Sequence, residues 1–350
     1  MAIKYKELTT ILKEEMKKWK KRGIHKLPSE KELCARFGVS RQTVRQSLSL
    51  LEKEGLICKK RGSGSYLTGL SSSSEENVIG VLLANDQYYL YPTLLHDIES
   101  TLTQNGFSVQ LFLTNGQIST EREILEGLLV KPLRGLLVEG IKNALPNPNL
   151  ALYQKLLKND TDIIFINHAY SEIAGYPFLY EDSLQGSQLL VQFLMEKGHK
   201  NIGTLFSIDT LEGRERFQGY LEACLSFGLP LSDIQNCWYQ EKDMAILRQT
   251  NDISMLQSLL QKEFAGCSAI ICQNDEISYW LIQAMKLKGL SPKHDIEVVS
   301  FDHSYLCHYD GFSIPSLSHA SQGHLAAQLM IEKRKGFPVL TQKIPWKLPY

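Results

Sequence analysis

The chain has 350 residues, 43% of them hydrophobic, which is enough for two or three domains with sizeable cores. Its formal net charge is zero, but residues 1–68 contain 17 Lys and Arg against 7 Asp and Glu, while the remainder contains 21 against 31. A basic module therefore precedes an acidic one. The basic module is the candidate for binding a polyanion.

The cysteines and the first residues indicate the compartment. Seven cysteines are present, without a CxxC pair or a histidine spacing suited to zinc. We therefore expect buried thiols in a reducing environment, and neither a metal site nor a cofactor. The start lacks the apolar core of a signal peptide, and no run approaches 18 apolar residues. These features predict a cytoplasmic protein.

The basic module contains the pattern of a helix-turn-helix. Apolar side chains at helical spacing predict a helix over residues 5–22, and residues 28–45 read as two short helices joined by a turn. Ser29 and Glu32 have capping-box spacing at the start of the first short helix. Gly38 suits its end, and Ser40 suits the cap of the next.

The second short helix, predicted from residue 41 to about 54, concentrates polar and basic side chains in its first turn. These are Arg41, Gln42, Thr43 and Arg45, residue types that contact base edges and phosphates in the major groove. The alternative for an isolated match is a helical hairpin with a solvated basic face.

Two predicted strands, residues 56–60 and 65–67, follow this helix and flank a glycine-containing turn. Such a hairpin would lie along the minor groove, with Arg61 reaching its negative potential. A surface hairpin without DNA contacts is the alternative. Residues 69–77 have the serine-rich composition of a flexible linker, so the predicted domains are 1–68 and 78–350.

From residue 78 onward, strands and helices alternate in two sets, which predicts parallel sheets in two lobes. The approximate lobes are residues 78–177 with 322–337, and 178–306 with 338–350. The predicted fold class is α/β, with an N-terminal winged helix-turn-helix before a two-lobed domain.

Polar residues directly after the predicted strands are candidates for a ligand site, because ligands of such sheets bind beyond the strands' carboxyl ends. Carboxylates and amides suit a sugar, whose hydroxyls need both donors and acceptors. Tyr89 and Tyr91 could cover an apolar sugar face. Each residue taken alone is equally well explained as a helix cap or loop anchor. The polar candidates after strands include Glu139, Asn167, Asn274, Asp275 and Asp302.

The first 68 residues resemble the winged-helix domain of the GntR family. The resemblance rests on Leu27-Pro28-Ser29-Glu30, on residues 37–41, on Thr43-Val44-Arg45 and on residues 51–57. It implies DNA contacts for Arg41, Thr43, Arg45 and the wing residue Gly62. Glu30, which lies in a matching motif, is included in the predicted DNA-binding set.

Residues 78–350 resemble the effector-binding domain of the LacI family, itself similar to type I periplasmic sugar-binding proteins. Matching motifs lie at 182–186, 197–203, 216–220, 274–277, 298–302 and 315–318. The resemblance implies ligand contacts for Arg216, Asn167, Asn274 and Asp302, and an aromatic wall at Trp238. Asp182 and Asp275 belong to the same motifs and complete the candidate set.

The combination of the two parts is similar to the arabinose-responsive repressors of Gram-positive bacteria. Further matches begin at Lys4, a candidate DNA contact, and include residues 138–145 and 167–174. The resemblance implies a homodimeric repressor that binds double-stranded operator DNA and is released by a small sugar, with L-arabinose favoured.

Three other functions stay open. One keeps the fold but uses another sugar or a purine-like ligand, as either inducer or corepressor. A sugar-processing enzyme is disfavoured because no nucleophile elbow, phosphate loop or metal-ligand pair accompanies the carboxylates, so no catalytic residue is predicted. A transport component is disfavoured by the basic head and the missing signal peptide.

Overall fold

The computed structural model describes residues 5–21, 26–53, 56–60, 64–67, 77–86, 89–167, 169–170, 176–231, 233–309 and 311–348. The chain divides into two compact units, Met1–Asn77 and Val78–Tyr350, which we call the head and the body. The predicted contacts Lys4, Arg61 and Gly62 lie outside the described residues, as does the predicted linker apart from Asn77.

The head consists of a helical core and a hairpin. Its described elements are helices α1 (Tyr5–Lys21), α2 (Glu30–Phe37) and α3 (Arg41–Lys53), and strands β1 (Ile57–Lys60) and β2 (Gly64–Leu67). Leu33, Val44 and Leu48 are buried in one core with Leu8 and Leu12 of α1. β1 and β2 pair antiparallel, as the wing prediction requires.

Local sequence signals fix the turn between α2 and α3. The Ser29 hydroxyl accepts the Glu32 N–H at 3.3 Å, and the Glu32 carboxylate accepts the Ser29 N–H at 2.7 Å, which forms the capping box. Gly38 ends α2 in the left-handed conformation at φ 63°, where a side chain would be strained. Ser40 then accepts the Thr43 N–H at 3.2 Å at the start of α3.

The first lobe of the body is a parallel sheet with helices on both faces. In its described part the strand order is β13-β7-β6-β5-β3-β4. The strands are β3 (Val78–Leu83), β4 (Ser108–Leu113), β5 (Gly135–Glu139), β6 (Asp162–Ile166), β7 (Phe178–Glu181) and β13 (Gln342–Ile344). Its helices are α4 (Tyr91–Gln104), α5 (Ile118–Val130), α6 (Leu150–Lys158) and α12 (Gln322–Arg334).

The second lobe repeats this architecture. Its described strands have the order β12-β11-β10-β8-β9 and pair in parallel. They are β8 (Ile202–Ser207), β9 (Asn236–Tyr239), β10 (Ala269–Cys272), β11 (Glu297–Phe301) and β12 (Ser316–Leu317). The helices are α7 (Ser183–Glu196), α8 (Leu211–Phe227), α9 (Glu241–Thr250), α10 (Ser254–Gln261) and α11 (Asp275–Leu287).

The lobe boundaries differ from the prediction. Residues 178–181 and 342–344, which we predicted for the second lobe, form β7 and β13 and pair with each other in the first lobe's sheet. Within the described residues, the chain passes between the lobes at 181–183, 317–322 and 344–346. The prediction missed this because β7 and β13 are only four and three residues long.

One glycine of the 216–220 motif has a packing role. A Cβ built at Gly219 would lie 2.2 Å from the backbone oxygen of Leu184, so only glycine allows α8 to approach α7 this closely. The close approach fixes the position of Arg216, one turn earlier on α8.

The body's cysteines and helices agree with a packed α/β protein. Cys224, Cys237, Cys267, Cys272 and Cys307 are buried free thiols. Among the helices of the described ranges, none combines the length and the apolar composition needed to cross a membrane.

Candidate functional site: DNA-reading face and ligand cleft

The first turn of α3 presents the predicted DNA-reading side chains on the surface of the head. Arg41, Gln42 and Arg45 are exposed, while Thr43 is half-buried with its hydroxyl 2.9 Å from that of Ser40. Val44, between them in sequence, is buried, because it faces α1 and α2. The helix therefore directs its polar residues outward and its apolar residues into the core.

An ion pair links α2 to this face of α3. Arg45 Nε donates to Glu30 Oε2 at 2.9 Å, and both side chains are substantially exposed. Glu30 was predicted from its motif, and its pairing with Arg45 was not predicted. The pair holds the Arg45 side chain against α2 in the free head.

The exposed surface around the predicted DNA contacts includes two residues that were not predicted. Arg41, Gln42 and Arg45 line a shallow surface hollow together with Gln46 and Ser49. Helical spacing could have predicted both residues. Gln46 lies four residues after Gln42 and Ser49 lies four after Arg45, so each lies on the same face of α3 as a predicted contact.

In the body, a cavity of about 440 Å³ lies between the lobes. Its first-lobe residues follow the carboxyl ends of β3, β4 and β5, together with Tyr91 of α4. The second lobe contributes the segment after β8 and one face of α9. The lining residues are Ala84, Asn85, Tyr91, Asn115, Gly116, Glu139, Gly140, Ile141, Lys142, Asp209, Thr210, Glu241, Lys242, Ala245, Arg248 and Gln249.

Glu139 is the central first-lobe acceptor of this cavity. Its Oε2 accepts the Ala84 N–H at 2.8 Å, and its Oε1 accepts the Tyr91 hydroxyl at 2.9 Å. Burial raises the pKa of Glu139 to about 7, although both donors favour the carboxylate. Near neutral pH this group is therefore available both as an acceptor and as a donor to a ligand hydroxyl.

Arg248 supplies the second-lobe wall with a fixed positive charge. Its Nε and NH2 donate to the two carboxylate oxygens of Glu276 at 2.7 and 2.6 Å, and its NH1 donates to Glu241 at 2.8 Å. Burial raises the pKa of Glu241, with Arg248 opposing the effect. Asp209 is anchored by Ser207 at 2.8 Å. This wall offers ordered carboxylates and suits a neutral polyol better than an anion.

A second group of polar side chains lies around Arg216. We call it the inner cluster and define it as Tyr89, Glu181, Arg216, Asp275, Asp302 and His319. Arg216 lies on α8, and the other members follow or end strands β3, β7, β10, β11 and β12.

Arg216 is almost fully buried, and both lobes hold it. Its NH2 donates to Glu181 at 3.1 Å and its NH1 to the Gln273 carbonyl, while the guanidinium lies 4.0 Å from the centre of the Phe301 ring. Its Nε is buried without a hydrogen-bond partner. A buried donor in that state is costly, so a ligand acceptor there would be stabilising.

His319 adds a second cation to the inner cluster. Its Nε2 lies 3.2 Å from Glu181 Oε1, its Nδ1 lies 2.6 Å from the Ala320 carbonyl, and its ring packs against Trp346 with centroids 4.6 Å apart. Burial opposes protonation, but the Glu181 carboxylate outweighs it and raises the pKa of His319 to about 9. His319 is therefore charged at neutral pH.

Tyr89 connects the lobes through Asp302. The Tyr89 hydroxyl donates to Asp302 Oδ2 at 2.5 Å and accepts the Asp275 N–H at 3.2 Å. Burial raises the pKa of Asp302 to about 7, against the attraction of Arg216. Burial also raises the pKa of Asp275, whose carboxylate accepts the Ser304 N–H at 2.6 Å.

A further set of contacts holds the lobes together beside the cavity. The Asn143 side chain accepts the Leu211 N–H at 2.7 Å and donates to Glu212 at 3.2 Å. Its segment is fixed by the buried carboxylate of Glu121, which accepts four hydrogen bonds from the side chains of Asn147, Asn149, Tyr153 and Tyr170. Asn143 therefore reaches α8 from an anchored loop.

Six of the ten predicted effector contacts lie in the cavity or in the inner cluster. Tyr91 and Glu139 line the cavity, and Tyr89, Arg216, Asp275 and Asp302 belong to the inner cluster.

The other four candidates have different partners. Asn274 caps α11 by accepting the Ile277 N–H at 3.1 Å. Asp182 caps α7 and pairs with Lys343 at 3.1 Å. Asn167 accepts from Gln322 at 2.5 Å. Trp238 packs against Phe206 and Phe217 in the second-lobe core, with ring centroids 6.5 and 5.0 Å away. None of these four lines the cavity.

Glu181 and His319 were not among the residues predicted for the site. Glu181 ends β7, and His319 follows β12 by two residues. The rule that polar residues follow strand ends applies to both, but these short strands were not recognised.

Comparison with known families agrees with this architecture. Residues 76–344 match the family described as periplasmic binding proteins and sugar binding domain of LacI family. Residues 4–67 match the bacterial regulatory proteins of the gntR family. The chain belongs to the LacI family. It is a LacI-family DNA-binding regulator whose head is of the gntR type, so both family resemblances are confirmed.

Individual relatives support the same grouping. This LacI-family chain is 29% identical to the arabinose metabolism transcriptional repressor of Geobacillus stearothermophilus, over 92% of the chain and 89% of that protein. It is 28% identical to the repressor of the same name from Halalkalibacterium halodurans, over 87% and 82%. The crystal structure of transcription regulator CcpA of Lactococcus lactis shares the fold with a TM-score of 0.67, at 16% identity, covering 78% of this chain and 97% of that one.

Proposed function

We propose that this regulator is a cytoplasmic repressor that binds operator DNA as a homodimer and is released by L-arabinose. The observation that carries the proposal is the presence, in one chain, of an exposed α3 reading face and of a polar cleft between two lobes. The names of the two relatives support arabinose as the effector.

The cleft chemistry supports a neutral sugar. Glu139, Asp209 and Glu241 supply acceptors, and Asn85 and Arg248 supply donors, from opposite walls of the cavity. A sugar hydroxyl is satisfied by such mixed partners because it donates one hydrogen bond and accepts others. Contacts from both lobes would favour one lobe arrangement, and the effector acts through its different affinities for the two arrangements.

The second lobe offers a surface for a second copy of the chain. Tyr305 and Tyr309 are 63% and 48% exposed, and the centroid of the Tyr309 ring lies 5.6 Å from that of Tyr279 on α11. Exposed aromatic groups of this kind favour protein contacts. A dimer presents two heads to half-sites separated by about one turn of DNA or a multiple of it.

The test begins with an operator selected from random duplexes. Its affinity for the full chain is then measured by fluorescence anisotropy with L-arabinose, D-ribose, D-xylose, D-galactose, D-glucose and adenine. We expect L-arabinose to weaken operator binding by about 5- to 150-fold, the usual range of such coupling. Release by a different compound would replace the effector, and tighter binding would make the effector a corepressor. No response to any compound would contradict the proposal.

A further inference from the structure

The Tyr89 hydroxyl makes the contacts that a sugar hydroxyl would need at the inner cluster. It donates to Asp302 at the end of β11 and accepts from the backbone of Asp275 at the start of α11. Both partners belong to the second lobe, whereas Tyr89 follows β3 of the first lobe. One phenol therefore combines a donor and an acceptor contact across the cleft, as a bound alcohol would.

The two residues joined by the Tyr89–Asp302 hydrogen bond both have left-handed backbone conformations. Tyr89 has φ 58° and Asp302 has φ 94°, in the region that bulky residues avoid. Asn115 and Lys142, which line the cavity, also have positive φ. Strained residues persist where surrounding contacts hold them, and they concentrate at binding sites and switches.

The neighbouring Tyr91 provides an internal comparison. Its hydroxyl also donates to a buried carboxylate, that of Glu139, at 2.9 Å. Both members of that pair belong to the first lobe, and Tyr91 has no positive φ. A movement that separates the lobes would therefore break the Tyr89–Asp302 hydrogen bond and leave the Tyr91–Glu139 hydrogen bond intact.

We propose that the Tyr89 hydroxyl is an internal competitor of the effector, occupying the place of one effector hydroxyl at Asp302 until the effector displaces it. This inference rests on the proposed function. Tyr89 then sets the effector concentration at which the repressor responds. The apparent affinity for the effector is the intrinsic affinity multiplied by the fraction of molecules in which Tyr89 does not occupy the site. It also excludes simple alcohols, which make too few other contacts to displace it.

The test compares the full-length chain with its Y89F and Y91F variants. L-arabinose binding is measured by isothermal titration calorimetry. We expect Y89F to bind L-arabinose about five- to twentyfold more tightly. The phenylalanine ring makes no hydrogen bond to Asp302, so the sugar has no such bond to break when it binds. Y91F should show no such gain, since its hydrogen bond lies within one lobe.

A second measurement needs no sugar. Amide hydrogen exchange of the free proteins should be faster at Asp275 and at residues 302–304 in Y89F, and unchanged there in Y91F, because Asp275 N–H loses its acceptor. Unchanged exchange at these residues in Y89F would show that the Tyr89 hydroxyl does not hold the Asp275 N–H, and it would overturn the inference.

The outcomes separate the inference from the proposed function. If the wild-type chain binds L-arabinose and Y89F binds it equally or more weakly, Tyr89 is not a competitor and the inference is overturned while the function stands. If no sugar of the panel binds the wild-type chain, the effector class is wrong and the competition fails with it. A similar gain in both variants would point to a general loosening of the cleft and would also overturn the inference.

Discussion

Two arginine–glutamate pairs of this protein have similar geometry and opposite surroundings. Arg45 and Glu30 in the head are 2.9 Å apart with side chains 69% and 36% exposed, whereas Arg216 and Glu181 in the body are 3.1 Å apart with 4% and 10% exposed. Water screens the first pair, so its contribution to stability is about 0–1 kcal/mol and its arginine is easily transferred to another anion. The second pair has been removed from water, so losing one partner leaves a buried charge.

This difference matches the tasks proposed for the two arginines. A residue that meets DNA must exchange its partner without a large free-energy cost. A residue that organises a ligand site must keep its position when the site is empty. If exposure accounts for the different behaviour of the two arginines, substitutions in the buried pair should affect stability and substitutions in the exposed pair should affect DNA binding.

The largest effect is expected for R216A. Removing the guanidinium takes away the buried positive charge that pairs with Glu181 and uncovers the Phe301 ring, so the free energy of unfolding should fall by about 3–5 kcal/mol. Chemical denaturation measures this, and calorimetry on the folded fraction should detect no L-arabinose binding. R216K, which keeps the charge, should lose less stability. Normal effector release by R216A would remove Arg216 from the site.

The next effect concerns pH and His319. The folded-state pKa of about 9 lies above the ordinary 6.5, so the pairing stabilises the fold fully below about pH 6.5 and loses this contribution as pH rises through 9. The free energy of unfolding of the wild-type chain should therefore decline over this interval, by up to ~3 kcal/mol, more steeply than that of H319Q. Parallel pH profiles for the two proteins would contradict the assignment.

R45A should act mainly on DNA. We expect operator binding to weaken by about 1–3 kcal/mol in fluorescence anisotropy, with L-arabinose affinity unchanged. The free energy of unfolding should change by less than about 1 kcal/mol because the ion pair is exposed. R36A is the matched control, since Arg36 is an exposed head arginine paired with Glu15 at 2.5 Å outside the reading face. Equal losses in both variants would indicate non-specific charge effects.

The smallest effect is expected for E30Q. Glutamine keeps the size of Glu30 but removes the negative charge that pairs with Arg45, so stability should change by no more than about 0.5 kcal/mol. Operator affinity should change less than in R45A. A loss as large as that of R45A would make Glu30 a DNA contact in its own right, and double-mutant analysis with R45A would separate the two cases.

The sequence was most informative where local chemistry determines structure. Ser29, Gly38 and Ser40 set the ends of α2 and α3 through caps that involve only neighbouring residues, so the helix-turn-helix could be predicted closely. The alternation of strands and helices likewise predicted parallel sheets in two lobes. These features depend on hydrogen bonds and burial patterns within a few residues.

The site was harder because it depends on long-range packing. Asn274 and Asp275 both follow β10, yet one caps a helix and the other reaches Tyr89 through its backbone. Trp238 lies on a strand, where successive side chains face opposite sides, and the sequence alone did not indicate that its side faces the core. His319 could be placed only once the two-residue strand before it was known.

The crossings between the lobes have a practical consequence. β7 and β13 are neighbouring strands, so the crossings at 181–183 and 344–346 lie side by side, and rotation of the lobes about them would be largest at the ends of the lobes distant from the cleft. Val130 and Leu225, 88% and 67% exposed, lie at the ends of α5 and α8 that point away from it. A donor and an acceptor dye attached there would convert sugar binding into a change in energy transfer, which makes the isolated body a candidate scaffold for an optical sensor.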